Sequence, residues 1–320
     1  MPVKVLLTGA LGNIGGNATK KLIEQGHQVR CFDLKTRANE KAAQRIEDQI
    51  EVVWGDVRSP EDLATAVQDQ DVIIHLAFIM PPVSEDRPQW AREINVAGTE
   101  NLLQAMKTVL PPPKIIFSST FSVFGDTQSQ PPPRTVSDPV QPVDNYTRHK
   151  VECERLVQES GLDWAIFRFA VVPPMSLGGV EELPKMFDFP LDMRIEFVHP
   201  RDAGLALANA VNSKKVWGKI LLIGGGPSGQ LYYRDFMGRM MNAMGIGMLP
   251  ERAFGSKAAM SDWLDTSESQ SLLNYQQHTF EDFVQEIASL LGYKRYLVPL
   301  FRPLVRRWVL QKSPYYRTKS

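Results

Sequence analysis

Val3-Lys4-Val5-Leu6-Leu7-Thr8-Gly9-Ala10-Leu11-Gly12-Asn13-Ile14-Gly15 is the stretch whose reading decides the fold. Its first half is a short apolar run bounded by turn residues, which predicts a buried parallel strand. Its second half places glycine at every third position and runs into Asn17-Ala18-Thr19-Lys20-Lys21-Leu22-Ile23, a helical pattern. A strand, a tight glycine turn and a helix in that order set helix N-terminal amides where a pyrophosphate can sit. Side chains in place of these glycines would obstruct the turn, the approach of phosphate, or the packing of helix on strand. The spacing is Gly-x-x-Gly-x-x-Gly, not the usual Gly-x-Gly-x-x-Gly. A plain glycine-rich turn therefore stays open until the rest of the chain is read.

Outward from this turn, residues 26–33 read as a turn and a second strand ending in Asp33, 18 residues beyond Gly15. A carboxylate there can accept hydrogen bonds from an adenosine ribose and would repel a 2′-phosphate, which predicts NAD. Lys35 and Arg37 leave NADP open, since either could pair with that phosphate. Residues 50–57 predict a third strand, followed by Ser59 as a helix N-cap with Pro60 at the first helical position. Residues 71–77, 114–119 and 164–169 predict three more strands, and 89–107 a helix. Strands alternating with helices at this spacing predict an α/β fold, a Rossmann-type doubly wound parallel sheet. From about Val172 the pattern loosens through Pro173, Pro174, Gly178, Gly179, Pro184 and Pro190, which predicts a smaller C-terminal substrate-binding lobe. The expected division is residues 1–171 for an NAD(P)-binding domain, 172–292 mainly for the lobe with some elements returning to the sheet, and 293–320 for a basic amphipathic tail. Gly224-Gly225-Gly226 is followed by Pro227 and reads as a turn, not a second nucleotide site.

With 320 residues and 43% hydrophobic composition the chain can bury a large core. Lys plus Arg and Asp plus Glu each number 36, so global charge gives no reason to expect a nucleic-acid partner. Cys31 and Cys153 offer neither a disulfide framework nor a zinc cluster, and the five histidines lack ligand spacing, so no metal is expected. No signal-peptide pattern precedes the first strand and no apolar run approaches the length of a membrane span. A cytoplasmic location is the expected default.

Two further signals lie beyond the fourth strand. Ser118-Ser119-Thr120-Phe121-Ser122-Val123-Phe124-Gly125 follows the fifth strand directly. In Tyr146-Thr147-Arg148-His149-Lys150 the four-residue step puts Tyr146 and Lys150 on one helix face. An ammonium near the phenol favours phenolate and is expected to lower the Tyr146 pKa. A hydroxyl opposite can hold a substrate oxygen while hydride moves to or from the cofactor. Each signal alone has a plain alternative, chance spacing for the pair and capping for the Ser-Thr cluster. Their order and distance from the glycine turn and Asp33 argue against coincidence.

With these pieces in place the chain resembles the extended short-chain dehydrogenase/reductase superfamily, in its NAD-dependent epimerase/dehydratase branch, from Val3 to about Asp202. The match is carried by the glycine turn, Asp33, Gly55-Asp56-Val57, His75-Leu76-Ala77, Asn95-Val96-Ala97-Gly98-Thr99, the Ser-Ser-Thr cluster, Tyr146/Lys150 and Phe197-Val198-His199-Pro200-Arg201-Asp202. The resemblance implies that Gly9, Gly12 and Gly15, with Asn13 and Ile14 between and beside them, flank the pyrophosphate. Asp33 takes the adenosine ribose, Asp56 and Val57 border the adenine, and Leu76 and Ala77 line the nicotinamide half. It implies Tyr146 as general acid/base, Lys150 on the nicotinamide ribose, and Thr120, counted back from Gly125, as the catalytic hydroxyl ahead of Ser118 and Ser119. It also implies a homodimer paired through helices near residues 89–107 and 146–159.

The departures bear on substrate. Sugar-nucleotide dehydratases of this family carry an Asp-Glu pair after the catalytic Thr, where this chain has Phe121 and Ser122. Nucleotide-sugar members tend to show Asn after the sixth strand, where this chain has Phe169-Ala170-Val171-Val172-Pro173. Phe78, Ile79, Met80, Phe121, Met175 and Met186 are the expected pocket residues instead. The resulting expectation is an NAD(P)-dependent oxidoreductase interconverting a fairly apolar secondary alcohol and its ketone, with a C4-type sugar epimerase as the alternative. A non-catalytic cofactor sensor ranks below both, because the Tyr/Lys pair is kept. After Gly292 come Lys294, Arg295, Arg302, Arg306, Arg307, Lys312, Arg317 and Lys319 and no acid, with Leu297, Leu300 or Phe301, Leu304 and Trp308 at helical spacing. Packing on its own domain or on a partner subunit is the first expectation for this tail, and peripheral contact with an anionic membrane the second. Pro299 and Pro303 shorten any helix there.

Overall fold

The computed structural model describes residues 2–258 and 260–316, without the side chains of Val180, Glu181 and Lys294. Its apolar runs become strands, mostly buried in the centre of the sheet and half-buried at the β3 edge: β1 (Lys4–Thr8), β2 (Gln28–Asp33), β3 (Glu51–Trp54), β4 (Val72–His75), β5 (Lys114–Thr120) and β6 (Trp164–Phe169). They form a parallel sheet in the order β3-β2-β1-β4-β5-β6. The order reverses between β1 and β4, which opens a crevice beyond their C-terminal ends. The lobe begins with the short β7 (Arg194–Glu196), and β8 (Lys219–Ile223) then joins the main sheet in parallel beside β6.

On one face the Asn13–Glu24 helix packs against the Pro200–Asn212 helix. The approach is close: a Cβ at Gly204 would lie 2.5 Å from the Asn17 carbonyl carbon. The other face is covered by the helices Pro60–Ala66, Gly98–Lys107 and Asn145–Gln158. Ser59 caps the first of these, with Pro60 in its first turn, as its sequence predicts. The helix expected over 89–107 is instead three pieces, Pro88–Arg92, a wide π-helical turn Glu93–Ala97, and Gly98–Lys107. The wide turn faces Asn95 inward, where its amide accepts from the Ile79 N–H and donates to the Ile79 carbonyl.

The lobe pairs β7 antiparallel with β9 (Gln230–Tyr232) over a separate core that includes Phe187, Phe197, Met237, Phe280 and Phe283. The tail runs as Lys294–Leu297, a 3₁₀ turn Val298–Phe301 and the helix Arg302–Leu310. It docks on that core through Val298, Val305 and Val309, one residue along from most of the apolar positions picked out by spacing. Arg317 and Lys319 lie outside the described residues. Among the described residues no helix is long and apolar enough to cross a membrane.

Candidate active site

At the end of β1, Gly9 turns with φ +67°, and a Cβ there would sit 2.8 Å from the Ala77 amide nitrogen. A Cβ on Gly15 would collide with the Gly9 carbonyl. These two positions let the turn fold tightly between β1 and β4. The helix then opens at Asn13 with Gly12 as its N-cap and no side chain capping its first amides. Those amides, at the positive end of the helix dipole, are donors for an anion. Asn13 also reaches across the cleft, donating from Nδ2 to the Val172 carbonyl at 3.1 Å.

Asp33 ends β2 with its carboxylate held from three sides. It accepts from the Leu11 amide at 3.0 Å, the Leu34 amide at 2.9 Å and Asn39 Nδ2 at 3.0 Å. Burial raises its pKa, and these hydrogen bonds work against that rise. Lys35 pairs with Glu40 at 3.8 Å. Asp56 is turned to Arg58 at 2.5 Å, which lowers its pKa, and Val57 packs under Gly98. The Leu76 and Ala77 amides both donate to the Thr8 hydroxyl. That hydroxyl also meets His75 Nδ1 at 2.6 Å, while His75 Nε2 meets Thr99 at 3.0 Å. Burial pushes His75 down to about 3, so it is neutral and serves to fix this wall of the cleft.

The opposite wall is β5 and the Asn145–Gln158 helix. A reciprocal capping box between Asp144 and Thr147 starts that helix, placing Tyr146 in its first turn and Lys150 one turn on. Glu85, in the short helix Val83–Asp86 after β4, accepts from the Asn145 and Tyr146 amides at 3.1 Å each, tying that segment to the helix N-terminus. The Thr120 hydroxyl accepts from the Ser122 amide at 3.2 Å and lines the cleft together with Tyr146. Ser118 and Ser119 line the cleft too, but the Ser119 hydroxyl is engaged, donating to buried Glu154 at 2.5 Å. Lys150 donates to the Ser118 carbonyl at 2.5 Å and lies 3.5 Å from the Phe78 ring centroid.

The expected lowering of the Tyr146 pKa is not present in this state. Burial pushes Tyr146 up to about 12, against the pull of the Thr120 side chain. Lys150 is only 3% exposed, and desolvation drops it to about 7, with partial compensation from Cys153 and Glu154. Its Nζ stands 5.9 Å from the Tyr146 ring, beside the phenyl ring of Phe78. Desolvation is the largest cause of the shift in each group.

Gly9, Gly12, Asn13, Ile14, Gly15, Asp33, Asp56, Val57, Leu76, Ala77, Thr120, Tyr146 and Lys150 all line one cleft of ≈ 460 Å³. Phe78, Ile79 and Met80 line it too, but Phe121, Met175 and Met186 do not. Phe121 packs into the main core, and the two methionines pack against the lobe core, where apolar burial is worth more than facing a cleft. Trp90 and Ile94 line the cleft as well, and spacing alone did not single them out. Glu85 acts across a long sequence separation and leaves no local signal, and Asn95, part of a motif that carries the family resemblance, holds Ile79 in a contact its spacing does not reveal.

The model of the NAD dependent epimerase/dehydratase family matches residues 5–184. A 3-beta-hydroxysteroid dehydrogenase of Mycolicibacterium neoaurum is 31% identical over 159 residues, 48% of this chain and 42% of that protein. A UDP-glucose 4-epimerase of Lactobacillus helveticus is 26% identical over 184 residues, 55% and 54% of the two chains. The matches thus span about half the length of these relatives. The crystal structure of a Bacillus cereus UDP-glucuronic acid 4-epimerase in complex with UDP-glucuronic acid and NAD superposes with a TM-score of 0.77 at 21% identity. It covers 91% of this chain and 99% of that one, a likeness of fold.

Proposed function

This chain belongs to the NAD-dependent epimerase/dehydratase family, and on that premise we propose that it is an NAD-dependent oxidoreductase interconverting a fairly apolar secondary alcohol and its ketone. The cleft fits the dinucleotide by its own construction: a glycine turn with no room for Cβ atoms, uncapped first-turn amides, and a braced carboxylate one strand away. Gly9, Gly12 and Gly15, with the Asn13 and Ile14 amides, would hold the pyrophosphate. Asp33 would hold the adenosine ribose, with Asp56 and Val57 beside the adenine. Leu76 and Ala77 would line the nicotinamide half, and Lys150 would hold its ribose. The buried, braced carboxylate of Asp33 opposes a 2′-phosphate, which supports NAD over NADP.

When bound, the nicotinamide supplies the hydride donor or acceptor. Tyr146 Oη gives its proton to the carbonyl oxygen on reduction and takes one from the hydroxyl on oxidation. With its pKa at about 12 the phenol is protonated at neutral pH, the form suited to reduction. Thr120, which lines the cleft with Tyr146, would orient the same substrate oxygen. Lys150 adds positive charge beside the phenol in the fraction of molecules that are protonated.

The observation that carries the substrate reading is the lining of the cleft by Phe78, Ile79, Met80, Trp90 and Ile94. An apolar wall suits a hydrocarbon skeleton better than a sugar ring, and this ranks the dehydrogenase above the C4 epimerase. The full-length protein, incubated with NAD and a panel holding 3β-hydroxysteroids, smaller apolar secondary alcohols and UDP-sugars, should reduce the cofactor with an apolar alcohol. Conversion confined to UDP-glucose, without net cofactor reduction, would replace this reading by the epimerase.

We also read the molecule as a cytoplasmic homodimer paired through the helices spanning 88–107 and Asn145–Gln158. Arg92 and Glu152 already link them at 2.6 Å on an exposed face. Light scattering at micromolar concentration should give twice the chain mass. A lipid surface met by the tail is the remaining proposed partner.

A further inference from the structure

The C-terminal segment carries two apolar faces, and the chain uses one of them. Val298, Val305 and Val309 point inward to the lobe core. Arg302 and Arg306 also turn in, donating to the carbonyls of Ile246, Gly247 and Met248. Leu297, Leu300, Phe301, Leu304 and Trp308 are left outside, 44, 73, 55, 68 and 44% exposed. Leu304 and Trp308 stand one turn apart on the Arg302–Leu310 helix, and Leu297, Leu300 and Phe301 are exposed on the short turns that lead into it, so the five make one exposed strip along the segment. Single exposed apolar residues are ordinary on a soluble protein, but five large ones in a row mark a contact surface.

Charge and aromatic placement indicate what meets that strip. The 36 basic and 36 acidic residues balance overall, yet eight basic residues and no acid lie after Gly292. Residues 1–292 therefore carry a net −8, and an anionic surface repels the body of the molecule while drawing its tail. At the strip's two ends, Arg295 lies over the Tyr296 ring at 4.6 Å and Lys312 over Trp308 at 5.6 Å. Cations resting on amphipathic rings at the rim of an apolar strip suit the boundary between headgroups and acyl chains. Two-fold pairing of the strip with a second copy would bring the basic rims of the two segments together with no acid in either segment to offset them.

We propose that this strip is a membrane-surface anchor. It lies in the interface of an anionic bilayer with the five apolar side chains below the headgroups and Arg295, Arg307 and Lys312 among the lipid phosphates. The nine-residue helix Arg302–Leu310 is too short to span, so the contact is with one leaflet. The proposal does not rest on the catalytic reading.

The test uses the full chain and two vesicle preparations, pure phosphatidylcholine and phosphatidylcholine with one-third phosphatidylglycerol. The protein should sediment with the anionic vesicles and remain in solution with the neutral ones. The Leu300→Asp/Leu304→Asp variant should lose at least about tenfold in vesicle affinity while keeping its thermal midpoint, because both side chains are exposed. Arg307→Glu should weaken binding and flatten its salt dependence. Should the double variant not fold, Leu304→Ser takes its place. Absence of binding to the anionic vesicles, or equal binding by the variants, overturns the anchor. Conversion of a wild-type dimer to a monomer by the same double variant also overturns it, and assigns the strip to contact between copies.

Discussion

The cleft and the lobe each bury an ionisable group pushed toward its neutral form, and the two are built differently. Burial lowers Lys150 to about 7 and raises Glu196 to about 8. Around Glu196 both oxygens are engaged: Oε1 accepts from the Gly226 amide, and Oε2 from the Leu264 amide at 2.6 Å and from Gln230 Nε2. The carboxyl is a strut joining β7 to two loops. Among the described residues one acceptor, the Ser118 carbonyl, meets the three donors of Lys150, which otherwise face Phe78 and the cleft. A buried polar group with its bonding capacity used holds structure together, whereas one with capacity left at the C-terminal ends of parallel strands is poised for a ligand.

The largest effect expected from this contrast is at the cleft. Tyr146→Phe removes one hydroxyl and no packing, so turnover should fall by about 10³-fold, within the usual range for a general acid/base. NAD affinity and thermal midpoint should stay close to wild type, as read by calorimetric titration and thermal unfolding. Turnover within a few-fold of wild type would remove Tyr146 from the chemistry. Gly204→Ala comes next and acts on stability instead. A Cβ there would lie 2.5 Å from the Asn17 carbonyl carbon and 2.7 Å from the Ala18 nitrogen, both backbone atoms of the glycine-turn helix. Forcing the two helices apart should cost about 2–4 kcal/mol in denaturant unfolding. It should also weaken NAD binding, because the same helix carries the amides at Asn13 and Ile14.

That coupling shows where sequence reading succeeds and where it stops. The glycine turn, Asp33 and the Tyr146/Lys150 step are local patterns legible from spacing, Thr120 follows from the family resemblance, and the fold brings all of them to one cleft. Sequence singles out Phe78 as a pocket residue and Asn95 as part of a family motif, but their contacts with Lys150 and Ile79, like those of Glu85 with the 145–146 amides, cross long separations that spacing does not reveal. The lobe is harder still. Its core is a set of Phe and Met side chains whose pattern does not distinguish a pocket wall from a packed interior, and Met175 and Met186, expected in the pocket, pack against the interior. In the tail, spacing found an apolar strip correctly but not its direction, because residues 298, 305 and 309 on the adjoining face are apolar as well. The expected fall in the Tyr146 pKa failed for a similar reason. Proximity of charges is legible from an i, i+4 step, but desolvation is not.

Struts and open donors also differ in how stability responds to pH. Folded Glu196 keeps its proton up to about 8 while the unfolded acid releases it near 4.5, so between these values the native state binds more protons and stability falls as pH rises. Lys150 acts in the opposite sense. Between about 7 and 10.5 the unfolded lysine holds a proton that the native one has lost, so stability rises with pH. Each slope is bounded by about 1.4 kcal/mol per pH unit. Urea unfolding at stepped pH should show the first slope disappear in Glu196→Gln and the second in Lys150→Met. A Glu196→Gln variant that keeps the full acid-side slope would mean that another carboxyl is responsible.

The smallest expected effect tests whether Phe78 belongs to the open side of the comparison. Its ring faces the Lys150 ammonium at 3.5 Å and meets the Tyr146 ring edge-to-face at 5.8 Å. A cation over an aromatic face gains about 0.5–2 kcal/mol, so Phe78 opposes the desolvation that lowers Lys150. Phe78→Leu keeps an apolar side chain in the cleft wall and removes the π face. The ammonium then loses a partner, the Lys150 pKa falls further below 7, and less of the charged form is present at neutral pH. If the ammonium is the form that holds the cofactor ribose, NAD affinity at pH 7 should drop by about two- to fivefold, the equivalent of about 0.4–1 kcal/mol. Below both pKa values, where both proteins are fully protonated, the deficit should shrink to the direct loss of the π contact. NAD titrations of wild type and variant from pH 5 to 9, on the order of the Lys150 range, separate the two accounts. A deficit that is constant with pH would make Phe78 a packing residue alone, whereas one that grows through neutrality places it in the machinery that keeps Lys150 charged.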